Sequence, residues 1–258
     1  QSVEGVMRLG PALLALALLM ALLGCGGESE KALSPSEGPI GKGASGIWIY
    51  RPAGTPKDLV IYLHGQGGPT EATPENHLPW ITHLVSRGSI VLYPRYEMDY
   101  EAEPMQFIAN GIRTAAKRVD LDGLPVLVIG YSRGGGLAVE YGAVAGEEDL
   151  PVPDAILGVF PAGFGNANRQ VDLTPLSHST EILFLVGDRD TVVGSQGAAY
   201  TGRRLASAGF PGENVHVALV ESKGRFVADH AAPMRISPAA RAAFWDPADR
   251  ILDALDGG

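Results

Sequence analysis

A chain of 258 residues, 45% of them hydrophobic, is long enough to bury the core of one domain of ordinary size. Its formal net charge of -9 disfavours a binding surface for nucleic acids or other polyanions, because phosphates would meet net repulsion. A single cysteine excludes an internal disulfide, so Cys25 is free, modified or bonded to another chain.

The first segment has the organisation of an export signal. From Met7 a short positive start leads into an apolar stretch, Leu9 to Leu23, which is followed by a glycine and the cysteine. These are the parts of a secretory signal peptide, and the stretch of about fifteen residues is shorter than the roughly 20 that a membrane-spanning helix needs. Residues 1–24 are therefore predicted to be a signal peptide, with Met7 as the better start.

The end of this signal, Leu22-Leu23-Gly24-Cys25, resembles the lipobox of bacterial lipoproteins. The resemblance implies lipidation of Cys25 and an exported lipoprotein anchored to a membrane, on its periplasmic or cell-surface face. An ordinary cleaved signal that leaves a free thiol is the alternative. Residues 25–45 are rich in Gly, Ser, Pro and Glu, so we expect a flexible tether there and a folded domain at 46–258.

Beyond the tether, short apolar segments alternate with helical patterns. Strands are predicted at 47–50, 59–63, 90–93, 125–130, 156–160, 182–186 and 215–220. Helices are predicted at 74–87, 105–119, 134–145, 195–208 and 238–255. Strands that are apolar on both faces and alternate with helices indicate an α/β fold, with a mainly parallel central sheet covered on both sides. Reactive groups in such sheets collect beyond the carboxyl ends of the strands.

The segment after the strand at 125–130 carries the pattern Gly-x-Ser-x-Gly, at Gly130, Ser132 and Gly134. Glycines flank the serine because side chains there would clash with the neighbouring strand and helix in the strained turn that exposes the hydroxyl. An apolar strand before the motif and a small-residue helix after it are the context that this turn requires. Ser132 is therefore the candidate nucleophile, and a serine in an ordinary turn is the alternative.

A serine nucleophile needs a base that accepts its proton and a carboxylate that orients the base. The strand at 182–186 leads into a turn that holds two candidate carboxylates, Asp188 and Asp190. Two histidines follow in the chain. His216 alternates within a predicted strand and is interpreted as structural, whereas His230 lies in the loop after that strand and is the candidate base.

The oxyanion that forms when a serine attacks a carbonyl needs preorganised donors, which backbone amides provide. One is expected from Arg133, directly after the candidate nucleophile. The other is expected from the loop that follows the strand at 59–63. Its sequence from His64 to Gly67 resembles the His-Gly-x-Gly oxyanion loop of lipases and esterases, which implies the amide of Gln66 as a donor and a loop-holding role for His64.

These motifs together resemble the α/β-hydrolase superfamily of serine hydrolases, from Ile47 to the C-terminus. In the family's acid turn the carboxylate lies three residues past a glycine, which implies Asp190 rather than Asp188. Many relatives insert a cap domain where this chain has only about nineteen residues, at 162–180. We therefore expect no large cap and an open site, similar to cutinase-like and dienelactone-hydrolase-like members, although a serine departs from the cysteine usual in the latter.

The sequence leaves the acyl pocket less defined. Phe164, Tyr131 and Trp80 are candidates to line it, and core packing is an equal alternative for each. No cofactor is expected, since His and Cys do not cluster at metal-ligand spacing and no Gly-x-Gly-x-x-Gly nucleotide signature occurs.

The combined interpretation is a serine hydrolase that cleaves carboxylic esters through an acyl-enzyme intermediate. Ser132 would attack the carbonyl, His230 would transfer the proton, and Asp190 would orient His230. The expected partners are a small-molecule or polymeric ester and, through the lipid on Cys25, a membrane. An acyltransferase or peptidase with the same triad, or a lipoprotein of the cell envelope that only binds a ligand, are the alternatives.

Overall fold

The structure is a computed structural model that describes residues 37–67, 71–96, 103–163 and 171–257. The predicted signal peptide at 1–24, the predicted lipidation site Cys25 and the tether up to residue 36 lie outside the described residues. Within these four ranges, no helix has the length and apolar character needed to cross a membrane.

Eight strands of the described residues form one sheet. In chain order they are β1 (Glu37–Ile40), β2 (Ile47–Tyr50), β3 (Asp58–Leu63), β4 (Ser89–Pro94), β5 (Val126–Tyr131), β6 (Ala155–Val159), β7 (Glu181–Gly187) and β8 (Val215–Val220). Their spatial order is β1-β2-β4-β3-β5-β6-β7-β8. Pairing is antiparallel at β1–β2 and β2–β4, and parallel from β4 to β8. The mainly parallel sheet predicted from the sequence is thus confirmed.

The central strands are apolar on both faces because both faces are covered. Along β3, Val60 contributes to one buried cluster and Ile61 to the other, and Leu127 and Val128 divide in the same way along β5. Two cores therefore sandwich the sheet, as expected for parallel strands.

The sheet begins inside the segment that the sequence predicts to be a tether. Strand β1 pairs with β2, so residues 37–40 of the expected tether at 25–45 belong to the sheet. The carboxylate of Glu37 accepts hydrogen bonds from Arg51 at 2.7 Å and from Arg118 at 2.9 Å. This edge strand is held by backbone pairing and ion pairs more than by burial of apolar side chains, and for that reason its composition gave no strand signal.

Helices pack on both faces of the sheet. They are α1 (Leu78–Arg87), α2 (Pro104–Ala116), α3 (Arg133–Ala145), α4 (Gln196–Ser207), α5 (Pro238–Ala240) and α6 (Asp246–Asp256), with a π-helical segment (Arg241–Trp245) between the last two. Short 3₁₀ turns occur at Gly43–Ser45, Gly212–Asn214 and Ala232–Met234. Helices α2, α3 and α4 contribute to one apolar cluster, and α1 and α6 to the other.

Most helix ends lie within a few residues of the predicted ones. Helix α1 ends where the sequence expects it, because Gly88 takes a left-handed φ of 115° that a glycine adopts without strain. The predicted helix at 238–255 is instead divided by the π-helical segment. The fold has no large cap: residues 160–163 and 171–180, the described part of the connection between β6 and β7, contain no helix.

One carboxylate is buried at the amino end of a central strand. Asp58, the first residue of β3, is 3% exposed, and burial raises the pKa of its carboxyl group. A raised folded-state pKa means that the folded protein holds this proton more tightly than the unfolded chain. The associated stability is therefore complete below the unfolded pKa of about 3.9 and is lost as the pH rises through the folded pKa.

We therefore expect Asp58→Asn, which keeps the shape without the charge, to raise the free energy of unfolding at pH 7 and to lose this advantage as the pH falls toward 4. Urea unfolding at several pH values measures the difference. The exposed Glu147→Gln is the control, with a change of no more than about 0.5 kcal/mol at neutral pH. A gain for Asp58→Asn that does not vary with pH would contradict the burial argument.

Candidate active site

Ser132 lies in a strained turn between β5 and α3. Its φ of 53° and ψ of -119° fall in a region that residues other than glycine rarely adopt. The surrounding backbone holds it there: its amide donates to the Val159 carbonyl at 3.0 Å, and its own carbonyl accepts from the amides of Gly135 at 2.9 Å and Ala162 at 2.8 Å. The turn projects the serine beyond the carboxyl end of β5.

Both glycines of the motif are required by close backbone contacts. A Cβ atom on Gly130 would lie 2.2 Å from the carbonyl oxygen of Gly134. A Cβ atom on Gly134 would lie 2.2 Å from the carbonyl oxygen of Leu63 and 2.5 Å from that of His64. Helix α3 thus packs its backbone directly against the ends of β3 and β5.

The structure brings His230 into hydrogen-bonding reach of Ser132. The imidazole Nε2 is 2.9 Å from Ser132 Oγ, and the Nδ1 is 3.0 Å from Asp190 Oδ2. A carboxylate only accepts, so we assign the ring proton to Nδ1, which leaves Nε2 to accept the proton of the serine hydroxyl. The three side chains that the sequence places 58 and 40 residues apart therefore form one continuous hydrogen-bonded line.

The carboxylate of Asp190 is held on both oxygens. Oδ1 accepts from the amides of Val192 at 2.9 Å and Val193 at 3.2 Å, while Oδ2 faces His230. The side chain is fully buried. These contacts leave the carboxylate a single orientation toward the imidazole.

The alternative residues lie elsewhere. Asp188 accepts a hydrogen bond from the Ser222 hydroxyl at 2.5 Å, and this bond lowers the pKa of the Asp188 carboxyl. His216 lies on β8, with its Nε2 3.4 Å from Glu181 Oε2 at the amino end of β7, the end of the sheet opposite Ser132. The contacts of Asp188 and His216 thus lie outside the hydrogen-bonded line of Ser132, His230 and Asp190.

The two predicted oxyanion donors belong to segments that meet at Ser132. Arg133 is the first residue of α3, and the first amides of a helix point beyond its N-terminus. The loop that carries Gln66 passes the serine closely, because a Cβ atom on Gly65 would lie 3.2 Å from the Cβ of Ser132. Gln66 itself is exposed.

His64 is buried behind this loop. Its ring stacks on Tyr96 at a centroid distance of 4.1 Å, and the hydroxyl of Tyr96 donates to the His64 carbonyl. Burial lowers the pKa of His64 to about 3, so the ring is neutral and its Nδ1–H donates to the Gly65 carbonyl at 2.7 Å. His64 braces the loop, as the sequence analysis proposed.

The three residues that were candidates to line an acyl pocket lie in different places. Trp80 packs in the core, edge-on to Tyr62 at 5.6 Å and stacked with Trp245 at 6.4 Å. Tyr131 is also buried and lies beside the imidazole of His230. Phe164 lies outside the described residues.

Two contacts of His230 were not predicted from the sequence, which offered Tyr131 only as a candidate for the acyl pocket and did not single out Phe160. The hydroxyl of Tyr131 donates to the His230 carbonyl at 2.7 Å, and the ring of Phe160 lies 6.2 Å from the imidazole. Tyr131 occupies a variable position of the Gly-x-Ser-x-Gly pattern, and Phe160 follows β6 with no motif around it. Neither contact has a sequence signal.

Comparison with known proteins identifies the fold. Neither a protein-family model nor a curated protein matches the sequence. Among solved structures, esterase B from Lactobacillus rhamnosis has a TM-score of 0.62 at 16% identity, over 83% of this chain and 82% of that one. An α/β-hydrolase enzyme from a Medee basin deep-sea metagenome library has a TM-score of 0.57 at 18% identity, over 83% and 94%.

A third similar structure is a soluble variant of monoglyceride lipase from Saccharomyces cerevisiae, with a TM-score of 0.60 at 11% identity, over 90% of this chain and 99% of that one. At these identities the likeness establishes the fold. The chain has the α/β-hydrolase fold, and the part that the structure describes contains no large cap.

The contact between α3 and β3 gives a direct test of the turn. Gly134→Ala is expected to destabilise the fold by about 3 kcal/mol or more, because the new methyl group meets backbone oxygens that have no room to move. Chemical denaturation measures the loss.

Gly202→Ala is the matched control, since Gly202 is also helical and a Cβ atom there meets nothing within 4 Å. It should be neutral or stabilising by up to about 1 kcal/mol. Equal stability of the two variants would show that α3 does not pack as closely as described.

Proposed function

We propose that this chain is a serine hydrolase that cleaves carboxylic esters through a covalent acyl-enzyme intermediate. One observation carries the proposal: Ser132 Oγ, the His230 imidazole and the Asp190 carboxylate are joined by contacts of 2.9 and 3.0 Å beyond the carboxyl ends of parallel strands. This is the arrangement in which a weakly nucleophilic hydroxyl is activated by an oriented base.

Acylation begins when Ser132 Oγ attacks the ester carbonyl carbon and its proton passes to His230 Nε2. The imidazolium that forms is stabilised by the Asp190 carboxylate through Nδ1–H. As the tetrahedral intermediate collapses, the bond to the alcohol oxygen breaks, and Nε2 gives its proton to the departing alkoxide. The acyl group remains on Oγ.

Deacylation repeats these steps with water. Water attacks the acyl carbon while its proton passes to Nε2, the acyl–Oγ bond breaks, and the proton returns to the serine oxygen. The carboxylic acid leaves and the starting state is restored.

The tetrahedral intermediates of acylation and of deacylation both carry negative charge on the former carbonyl oxygen. We assign its stabilisation to the backbone amides of Gln66 and Arg133, which lie on the two segments that flank Ser132. The positions of these two amides support the assignment. The loop of Gln66 passes the Ser132 Cβ, and Arg133 begins α3, whose N-terminal end favours negative charge.

An ester is the favoured substrate class for two reasons. The described residues include no large cap, an arrangement that suits bulky or polymeric esters. The similar structures also include proteins named as an esterase and a monoglyceride lipase. Acyl transfer to an alcohol or amine, or peptide cleavage, would use the same three side chains, and comparing hydrolysis with transfer to added acceptors separates them.

Export and lipid attachment at Cys25 stay predictions, because both rest on residues outside the described part of the chain. If they are correct, the domain acts on esters outside the cytoplasm and at a membrane surface.

Ser132→Ala removes the attacking oxygen. Turnover of a short p-nitrophenyl ester should fall by on the order of a millionfold in kcat while the protein stays folded. The control is Ser179→Ala, an exposed serine in the turn before the amino end of β7, which should retain full activity. A folded Ser132→Ala protein that still hydrolyses the ester would refute the assignment.

The two aspartates of the acid turn form a second matched pair. Asp190→Asn should lower kcat by roughly 10⁴-fold, because an amide facing His230 favours the wrong imidazole tautomer. Asp188→Asn should change kcat by less than about threefold, since an amide oxygen still accepts from the Ser222 hydroxyl. Steady-state kinetics of both variants show which aspartate orients His230. A larger loss of kcat for Asp188→Asn than for Asp190→Asn would reverse the assignment.

A further inference from the structure

His230 lies in the loop that follows β8, the last strand at one edge of the sheet. Several hydrogen bonds of this loop hold residues beside the histidine. The amide of Ala228 donates to the Ser222 hydroxyl oxygen at 2.9 Å, and Arg235 Nη2 donates to both carboxylate oxygens of Asp229 at 2.8 Å. The side chains of Arg235 and Asp229 are 42% and 38% exposed, so this pair adds little rigidity. These bonds hold the residues on either side of the histidine and do not engage His230 itself.

Tyr131 supplies a contact to the backbone of the histidine itself. Its hydroxyl donates to the His230 carbonyl at 2.7 Å, across 99 residues of sequence. Burial raises the pKa of the Tyr131 phenol, so the hydroxyl keeps its proton and remains a donor. Because Tyr131 directly precedes Ser132, this bond joins the turn of the nucleophile to the loop of the base.

Two aromatic rings also flank the imidazole. The Tyr131 ring lies 5.2 Å from it, between centroids, at an interplanar angle of 34°. The Phe160 ring lies 6.2 Å away at 26°. Rings at these distances pack beside the imidazole and restrict its rotation.

Phe160 reaches this position through an unusual backbone. Its φ of 49° is left-handed, which is strained for a bulky residue. The amide donates to the Leu185 carbonyl at 2.9 Å, and the ring packs edge-on against Phe244 at 5.4 Å. Strain of this kind persists only where the surroundings impose it, and an observed outlier beside reacting groups points to a functional constraint.

The ring of Phe160 also requires a glycine opposite it. A Cβ atom on Gly187, the last residue of β7, would lie 2.8 Å from Phe160 Cζ and 2.3 Å from the Ala228 carbonyl oxygen. The end of β7, the histidine loop and Phe160 are therefore packed against one another at a single point. Tyr131 is the last residue of β5 and pairs in register with Val159, the residue before Phe160, so the two aromatic residues lie at the ends of neighbouring strands.

We propose that Tyr131 and Phe160 form a histidine clamp that positions the general base. The hydroxyl of Tyr131 holds the backbone of His230, and the two rings hold its imidazole in the orientation that joins Asp190 to Ser132. Both are positioning residues, which act through His230 without touching the reacting atoms. The inference rests on the proposed function, because it assigns a role relative to a catalytic base.

Tyr131→Phe removes the hydroxyl and keeps the ring. We expect kcat for a p-nitrophenyl ester to fall roughly three- to tenfold with KM changed by less than about twofold, because the base is displaced while substrate contacts remain. Tyr141→Phe is the matched control: Tyr141 is also buried and donates to a backbone carbonyl, that of Pro151, at 2.8 Å. Tyr141→Phe should lose about as much stability as Tyr131→Phe and keep the kcat of the wild type.

A spectroscopic readout separates positioning from general loosening. The proton on His230 Nδ1 should give a far-downfield proton resonance, identified by its disappearance in Asp190→Asn. In Tyr131→Phe this proton should exchange faster with water than in the wild type, whereas in Tyr141→Phe its exchange should not change. An unaltered exchange rate in Tyr131→Phe would overturn the hydroxyl's part in the clamp.

Phe160→Leu tests the second residue of the clamp, and remains informative if Tyr131→Phe fails to fold. It should lower kcat by a similar factor at constant KM. Phe184→Leu is its control, a buried phenylalanine of β7 in the cluster on the opposite face of the sheet, with a comparable loss of packing. Equal kcat in the two leucine variants would overturn the part of Phe160.

These outcomes are distinguishable from failure of the proposed function. A wild-type protein without esterase activity, or one that keeps activity in Ser132→Ala, refutes the hydrolase itself. An active wild type whose Tyr131→Phe and Phe160→Leu variants match their controls refutes the clamp alone.

Discussion

The backbone of helix α3 touches the ends of β3 and β5 with no side chain between them, and the rest of the site depends on this contact. Gly134 lies so close to the carbonyl oxygens of Leu63 and His64 that no Cβ atom fits. The chain must therefore reverse direction sharply between β5 and α3, and Ser132 takes the strained conformation at the point of reversal. The same approach brings the first amide of the helix and the loop after β3 to the two sides of the serine.

A similar close approach governs the other half of the site. Gly187 ends β7 against the carbonyl oxygen of Ala228, two residues before His230. This lets the turn of Asp190 and the loop of His230 meet, although they come from successive strands with a helix between them. The parallel sheet supplies the common edge, and a glycine at the start of α3 and another at the end of β7 let the loops come within hydrogen-bonding distance of one another.

Much of this arrangement follows from local sequence. Apolar runs predicted seven of the eight strands of the described residues, and the motifs that follow β5, β7 and β8 pointed to Ser132, Asp190 and His230 as side chains that would meet. Edge strand β1 was missed because ion pairs of Glu37, rather than apolar burial, hold it. The positive φ of Phe160 and the bond from Tyr131 to His230 depend on contacts between distant segments, and no pattern within one segment encodes them.

The central claim is that Ser132 is the nucleophile of a hydrolase, and covalent trapping tests it most directly. After reaction of the folded protein with a fluorophosphonate, intact mass spectrometry and peptide mapping should show one phosphonyl group, on Ser132, with loss of esterase activity in step with labelling. An active enzyme that gains no adduct, or whose adduct maps to another residue, would contradict the account.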